Sequence, residues 1–222
     1  MRSRIRRLVL AVPLLLLLVG AAAPEPSDAA TIYRRELYFS SGYERQIDSR
    51  TCTAASTAMM ENFIARRDLN LNQRTILRYE QPRDALRDSV QRGSDPLGWS
   101  RAATYYSRYT SRPTTYRWEA YSTESAALKR AARLLATYSK PVGLVVQHGK
   151  HAVVMTGFTS TRNPTRGGDF SLLSVTYSDP YGSRHATVGA TSVPLDTYRE
   201  LDATTTYDRL WYWKYIIIAP QN

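Results

Sequence analysis

The hydrophobic pattern of this 222-residue chain changes its period partway along, and the change limits the folds that the chain can adopt. Before Glu119 the apolar residues recur every three or four positions, which predicts amphipathic helices. From Val142 onwards they run continuously or alternate, which predicts strands. Helices followed by strands that are joined through turns indicate an α+β domain with an antiparallel sheet.

The individual elements follow from periodicity and from turn residues. Helices are predicted over 53–67, 70–81, 83–91, 100–109 and 123–139, and strands over 142–147, 151–158, 170–178 and 211–219. An extended segment is predicted at 31–43, a turn at 93–99, and a short helix with a loop at 194–207. The run at 142–147 is almost entirely apolar, as expected for a central strand that is buried on both faces.

The first thirty residues have the composition of a secretory signal peptide. Four arginines within residues 2–7 precede an apolar run at 8–20, and alanines follow at 21–23 and 29–30. The apolar run is shorter than a comfortable membrane span, which favours cleavage over retention as a membrane anchor. We therefore expect a secreted, extracellular protein in which residues 1–30 are a signal peptide and linker and residues 31–222 form a single domain.

The chain is strongly basic, with 30 Lys and Arg residues against 19 Asp and Glu residues and a formal net charge of +11. The arginines are scattered along the chain and, beyond the signal segment, never form a run longer than two. Nucleic-acid-binding arms cluster their basic residues, so this distribution argues against a nucleic acid partner. It indicates a basic surface that suits association with an anionic cell envelope.

Cys52 is the only cysteine, and it lies where a polar loop gives way to a helical pattern. Ser49 and Thr51 are residue types that cap helices, which would put the thiol in the first helical turn. There the unpaired backbone N–H groups and the helix dipole favour a thiolate, the reactive form of the side chain. A lone cysteine is often a small buried hydrophobe, but an unpaired thiol in a secreted chain calls for an explanation.

A thiol nucleophile needs a base within hydrogen-bonding reach and an acceptor that orients the base. Of the three histidines, only His151 is anchored at the start of an apolar strand. Asp179 ends the third predicted strand, and the following proline keeps it extended. The alternatives are a structural histidine and an ordinary Asp-Pro turn.

Strand alternation gives a further expectation for Asp179. If the alternation holds to the end of the strand, this carboxylate shares a core face with Leu173, Val175 and Tyr177. A carboxylate on such a face is costly unless it is paired. Gln46 completes the candidate set, because its amide could donate to an oxyanion alongside the backbone N–H of Cys52.

Three short blocks resemble the motifs of papain-like cysteine peptidases: residues 46–56, 151–157 and 178–180. The closest resemblance is to the bacterial group whose fold is like the bacteriocin-leader-processing peptidase domain. It implies that Cys52 is the nucleophile, His151 the general base and acid, and Asp179 the orienting group, with Gln46 as the oxyanion donor six residues before the cysteine. It also implies a papain-like arrangement, in which a helical N-terminal half packs against a C-terminal antiparallel sheet. Papain has an asparagine in the third role and a different sequence around its cysteine, so its substrate preference is not implied here.

The sequence therefore predicts a secreted cysteine peptidase that acts on peptide or protein substrates as a monomer. An amidase, transpeptidase or acyltransferase could use the same site. A non-enzymatic envelope-binding module is a second class of function, and it would use the tyrosine- and arginine-rich surface at 101–118. The chain has one cysteine and three histidines, and these residues are not spaced as metal ligands, which argues against a metal site. The sequence also lacks a phosphate-binding glycine loop, so a nucleotide cofactor is not indicated.

Overall fold

The computed structural model describes residues 32–86, 93–182, 184–200 and 207–222, so the predicted signal peptide lies outside the described residues. The helices are α1 (Cys52–Ala65), α2 (Gln73–Glu80), α3 (Pro96–Tyr106), α4 (Glu124–Tyr138) and α5 (Asp208–Trp211). The strands are β1 (Tyr33–Glu36), β2 (Tyr116–Tyr121), β3 (Val142–Val146), β4 (His151–Ser160), β5 (Leu172–Asp179), β6 (Arg184–Gly189) and β7 (Tyr215–Pro220). In these ranges, no helix combines the length and the apolar character that crossing a membrane requires.

The described strands form one antiparallel sheet. Its order is β2-β7-β3-β4-β5-β6, and β1 pairs with the far end of β4. β4 is the central strand, because β3 pairs with its first half and β5 pairs with its other edge. The predicted α+β class with an antiparallel sheet is therefore confirmed.

The side chains of β4 alternate between two hydrophobic clusters, one on each face of the sheet. Val153 and Met155 belong to the cluster that includes α4. Ala152 and Val154 belong to the cluster that includes α1 and α3. Because both faces are covered, the strand needs apolar residues at successive positions, which explains its continuous apolar sequence.

Helix α1 lies between the sheet and two other helices, and every one of its residues but the last is buried. Its large side chains, Met59, Met60 and Phe63, belong to the cluster against the sheet. Ala54 and Ala58 belong to a separate cluster with residues of α2 and α3. Contact on both sides fixes the helix, and with it the position of Cys52 at its first residue.

Helix α3 begins earlier than the sequence pattern predicted. The side chain of Asp95 accepts hydrogen bonds from the backbone N–H groups of Leu97 and Gly98, at 2.8 and 2.9 Å, and so caps the helix. Pro96 then takes the first helical position, where its missing N–H is no loss. The turn predicted at 93–99 is therefore confined to the residues before Pro96.

Other predicted elements also differ from the structure. The described part of the helix predicted at 83–91 is a 3₁₀ turn followed by a bend, and residues 194–200 contain no helix. The last strand begins at Tyr215 because Trp213 has a positive φ of 59°, which breaks an extended chain. β2 and β6 were not predicted, since β2 alternates charged with aromatic residues and the short β6 is only partly buried.

Candidate active site

Cys52 is the first residue of α1, and its side chain is almost fully buried, with 5% of its surface exposed. It lines a cavity of about 20 Å³ together with His151. Thr51 precedes it but does not cap the helix with its side chain. The Thr51 hydroxyl instead accepts from the backbone N–H groups of Ile47 and Asp48, both at 3.2 Å, and so shapes the loop before the thiol.

His151 and Asp179 meet at one end of the sheet. His151 is the first residue of β4 and Asp179 is the last residue of the antiparallel neighbour β5, so both lie at the same edge. The Nε2 atom of His151 is 2.7 Å from Oδ1 of Asp179. Oδ1 also accepts from the backbone N–H of Tyr181 at 2.8 Å, and the backbone carbonyl of Asp179 accepts from the Tyr43 hydroxyl at 2.7 Å. These contacts fix the direction of the carboxylate.

The alternation expected along β5 holds only for its second half. Val175 belongs to the buried cluster on the α4 side, and Tyr177 packs against it. Leu173 was expected on the same face but is 45% exposed. The cause is a register shift between Thr159 and Ser160 of β4, which breaks the alternation at this point. Asp179 keeps the predicted pairing because it lies beyond the irregularity.

Cys52 and His151 line the same cavity, and the thiol interacts with the imidazole. Because Nε2 already contacts Asp179, the nitrogen that remains for the thiol is Nδ1. Burial of the ring opposes its protonation, but the hydrogen bonds to Asp179 and Cys52 and the charges of both partners raise the pKa of His151 to about 9. The imidazole is therefore protonated at neutral pH and places a positive charge beside the sulfur.

Gln46 lies in the loop before Cys52 and contacts the turn after Asp179. Its backbone N–H donates to the carbonyl of Pro180 at 3.0 Å, which ties the loop before Cys52 to the turn after Asp179. Its side-chain Nε2 donates to the carbonyl of Asp48 at 2.8 Å, while the buried Oε1 has no partner among the described residues. An amide nitrogen carries two hydrogens, so one donor remains after the bond to Asp48. The role of oxyanion donor stays a prediction.

Two residues that sequence reasoning missed hold the loop and the first turn of α1. Gln73 accepts from the backbone N–H of Ile47 at 3.1 Å and donates to the carbonyl of Arg45 at 2.8 Å. Glu80 accepts from the Thr53 hydroxyl at 2.7 Å. Burial raises the pKa of Glu80 to about 8, so this acid is neutral at pH 7 and supports α1 without adding a charge beneath the thiol.

The signal for Glu80 was present in the sequence. It follows Ile76 by four residues, which puts both side chains on one face of α2, and Ile76 is fully buried. An acidic residue on the buried face of a short helix indicates a specific partner. Here the partner is the residue directly after Cys52.

A groove of about 640 Å³ lies between α2, α3 and β2. We call it the arginine–tyrosine groove. It is lined by Arg83, Arg101 and Arg117, and none of its described lining residues is acidic. The surface predicted over 101–118 is thus divided between α3 and β2, with the groove along their junction.

Four side chains beside this groove form a continuous stack. The guanidinium carbon of Arg83 is 3.6 Å from the centre of the Tyr79 ring, and that ring stacks on Tyr105 with centres 4.1 Å apart. Arg108 lies 3.5 Å from the centre of the Tyr105 ring. Two groups cannot share one ring face at such distances, so both faces of each ring are covered. The guanidinium groups are held by the stack, and the rings are not free to bind another planar group.

Within the described ranges, no group of three or more His, Cys, Asp or Glu residues could hold a metal ion.

The chain was compared with protein families, curated proteins and solved structures. The model of the Peptidase_C39 like family matches residues 40–206, a range that includes Gln46, Cys52, His151 and Asp179. The match confirms the resemblance predicted from the sequence. A crystal structure of a double glycine motif protease from an AMS/PCAT transporter, in complex with the leader peptide, is similar over 80% of this chain and 89% of that chain, at 16% identity and a TM-score of 0.41. No curated protein matches the chain.

Proposed function

Because the chain belongs to the Peptidase_C39 like family, we propose that it is a secreted cysteine peptidase that hydrolyses peptide bonds with Cys52, His151 and Asp179. The observation that carries this proposal is the geometry around His151. One ring nitrogen lies 2.7 Å from the Asp179 carboxylate, and the ring lines the same cavity as the Cys52 thiol. This is the arrangement that a thiol nucleophile, its base and an orienting acid require.

The reaction follows from the position of each group. The Cys52 sulfur attacks the carbonyl carbon of the scissile peptide bond, and a tetrahedral intermediate forms. Protonated His151 then gives its proton to the leaving amine, which breaks the C–N bond and leaves an acyl-enzyme. Neutral His151 next takes a proton from water, whose oxygen attacks the acyl carbon, and the thiolate leaves. Asp179 keeps the imidazole oriented throughout and stabilises its charged form.

The proposal is tested by the reactivity of the single thiol. We expect iodoacetamide to alkylate Cys52 at mildly acidic pH faster than it alkylates a free cysteine, because the protonated imidazole of His151 beside the sulfur activates it as a nucleophile. His151→Ala should reduce the rate to that of a free thiol. Since Cys52 is the only cysteine, mass spectrometry of the intact protein reads this one site. An alkylation rate that equals free cysteine, or that His151→Ala leaves unchanged, would contradict the proposal.

Gln46 is proposed as a donor to the oxyanion, together with the backbone N–H of Cys52 at the start of α1. We expect Gln46→Ala to lower kcat by roughly 10²- to 10³-fold, the usual effect of removing one such donor, and to change KM little. Gln46→Glu is the matched control, because it keeps the size of the side chain but cannot donate when ionised. A kcat within about threefold of wild type in both variants would rule out this role.

The acyl-enzyme could also transfer its acyl group to an amine instead of water. Amidase, transpeptidase and acyltransferase activities use the same Cys52 thiol and the same proton transfers by His151. Mass spectrometry of the products distinguishes them, because transfer leaves a product with an added amine. We propose hydrolysis by a monomer, with residues 1–30 removed on secretion. Sequencing the amino terminus of the exported protein tests this removal.

The arginine–tyrosine groove supports a second candidate function, association with an anionic polymer of the cell envelope. Its arginines have no acidic partner among the described residues, so their charges are available to an anionic ligand. The rings of Tyr79 and Tyr105 are covered on both faces, so the ligand would be held by guanidinium edges and not by stacking.

Two variants separate this function from catalysis. Cys52→Ala should keep the binding of a soluble probe, inorganic polyphosphate, while turnover is lost. Arg101→Gln in the groove should weaken the binding, whereas Arg34→Gln, on the exposed part of β1, should leave it unchanged. Equal losses in Arg101→Gln and Arg34→Gln would indicate attraction by net charge alone.

A further inference from the structure

The backbone directly before His151 has an unusual conformation. Gln147, His148 and Gly149 have positive φ angles of 51°, 59° and 101°. Glycine adopts such angles readily, but they are unfavourable for residues with a Cβ and persist only where surrounding structure imposes them. β3 ends at Val146 and β4 begins at His151, so this left-handed turn determines where the proposed base enters the sheet.

A single segment, residues 195–200, covers the turn, and we call it the strap. Leu195 forms a β-bridge with Val146, and the backbone N–H of Arg199 donates to the carbonyl of His148 at 3.0 Å. The Tyr198 ring lies against Gly149 so closely that a Cβ at this glycine would be 2.7 Å from the ring. The strap therefore contacts the chain just before the turn, at Val146, and two residues of the turn itself, His148 and Gly149.

The strap is itself anchored away from the turn. Tyr198 is buried in the hydrophobic cluster on the α1 side of the sheet, and its ring packs on Trp211 with centres 5.6 Å apart. Its backbone N–H donates to the carbonyl of Lys214 at 2.8 Å, and its carbonyl accepts from Trp213 at 3.0 Å. The strap can impose a conformation on the turn because it does not depend on the turn for its own position.

Asp196 of the strap makes two polar side-chain contacts with His148, the middle residue of the turn. Its Oδ1 accepts from the backbone N–H of His148 at 2.7 Å, and its Oδ2 is 3.3 Å from Nδ1 of the same residue. Nδ1 is also 3.2 Å from the carbonyl of Thr197. Both neighbours of Nδ1 are acceptors, so Nδ1 carries a proton and donates to the strap. One carboxylate thus holds the backbone and the ring of the middle residue of the turn.

We propose that Asp196 is a positioning residue for His151: it holds the left-handed turn at Gln147–Gly149 and so keeps the imidazole between Cys52 and Asp179. This inference rests on the proposed cysteine peptidase activity. His148, the residue that Asp196 holds, lies three residues before His151 along the chain, so Asp196 acts on the imidazole through the turn. Small displacements of a reacting group lower rates strongly, which gives such a contact its effect.

The kinetic test compares Asp196→Ala with wild type. We expect kcat for a peptide substrate to fall roughly tenfold or more, with KM within about threefold, because orientation and not substrate binding is lost. The alkaline limb of the kcat profile should move to lower pH as the hydrogen bond from His151 to Asp179 loosens. Asp196→Asn keeps one acceptor for the backbone N–H of His148, so its kcat should lie between the values of wild type and Asp196→Ala. Asp169→Ala is the matched control, since this exposed carboxylate pairs with Lys129 far from the turn.

A second measurement does not depend on turnover. The chain has three histidines, so the titration of the His151 ring can be followed by NMR in protein with labelled histidine. The His151 ring should titrate at a lower pH in Asp196→Ala than in wild type, whereas in Asp169→Ala it should titrate as in wild type. An Asp196→Ala variant with wild-type kcat and a wild-type His151 titration would overturn the positioning role. If wild type has no turnover while the His151 titration still shifts in Asp196→Ala, the proposed activity fails and the positioning role stands.

Discussion

Cys52→Ala is expected to lower kcat/KM for a peptide substrate by about 10⁵-fold or more, since no other group can form the acyl-enzyme. His151→Ala should cost nearly as much, because the sulfur then lacks its base and the leaving amine lacks its proton donor. The double variant should be no worse than either single variant, because the two side chains act as one unit. Progress curves with excess enzyme measure all three losses on one substrate.

The control for these variants lies one turn further along the same helix. Ser56→Ala removes a buried polar atom of similar size, whose hydroxyl donates to the backbone carbonyl of Ala152 at 3.3 Å. It should leave kcat/KM within about threefold of wild type while it tests any general effect of altering α1. Additive losses in the double variant, or turnover retained by Cys52→Ala, would exclude Cys52 as the nucleophile.

Asp179→Ala is expected to lower kcat/KM by roughly 10²- to 10³-fold, because the imidazole loses the contact that fixes its orientation. It should also move the alkaline limb of activity. The pKa of His151 is about 9 with both partners in place, so the ring stays protonated into mildly alkaline solution. Without the Asp179 charge, the ring loses its proton at a lower pH and activity falls earlier.

Asp179→Asn separates orientation from charge. Its side-chain oxygen can still accept from Nε2 of His151, so more activity should survive than in Asp179→Ala, but the alkaline limb should still move to lower pH. The free energy of unfolding gives a second check. Because the folded-state pKa of His151 lies above the usual 6.5, the stabilisation from its protonation is complete below pH 6.5 and is lost as the pH rises through about 9. A urea series that shows the same pH dependence in wild type and Asp179→Ala would contradict the pairing.

The residues of the candidate site could be predicted because each stands at the boundary of a clear element. Cys52 precedes a helical pattern, His151 opens a continuous apolar strand, and Asp179 ends a strand before a proline. These boundaries depend on local periodicity and turn chemistry, which a single sequence carries. Asp179 was predicted as the orienting group from its position at the end of a strand before a proline, and the structure places its Oδ1 2.7 Å from Nε2 of His151.

The remainder depends on contacts between distant segments. The role of the turn before His151 could not be predicted, since its positive φ angles depend on Asp196 and Tyr198, which follow it by almost fifty residues. Likewise, Tyr116–Tyr121 becomes a strand because β7 pairs with all six of its residues, whereas its own sequence mixes charged and aromatic side chains. Long-range pairing overrides local propensity at such edge strands.

The two residues of the proposed reactive pair lie in different layers, Cys52 on α1 and His151 on β4, and roughly a hundred residues of chain separate them. Bringing such distant segments together is a late and slow event in folding, because the closure entropy must be overcome before the contact stabilises the chain. Under the proposed mechanism, a half-folded molecule therefore lacks the contact between thiol and imidazole, and cleavage requires the helical layer to dock on the sheet. The proposed protease would therefore become active only after folding is complete. The rate at which Cys52 gains its reactivity during refolding would measure how fast the helical layer docks on the sheet.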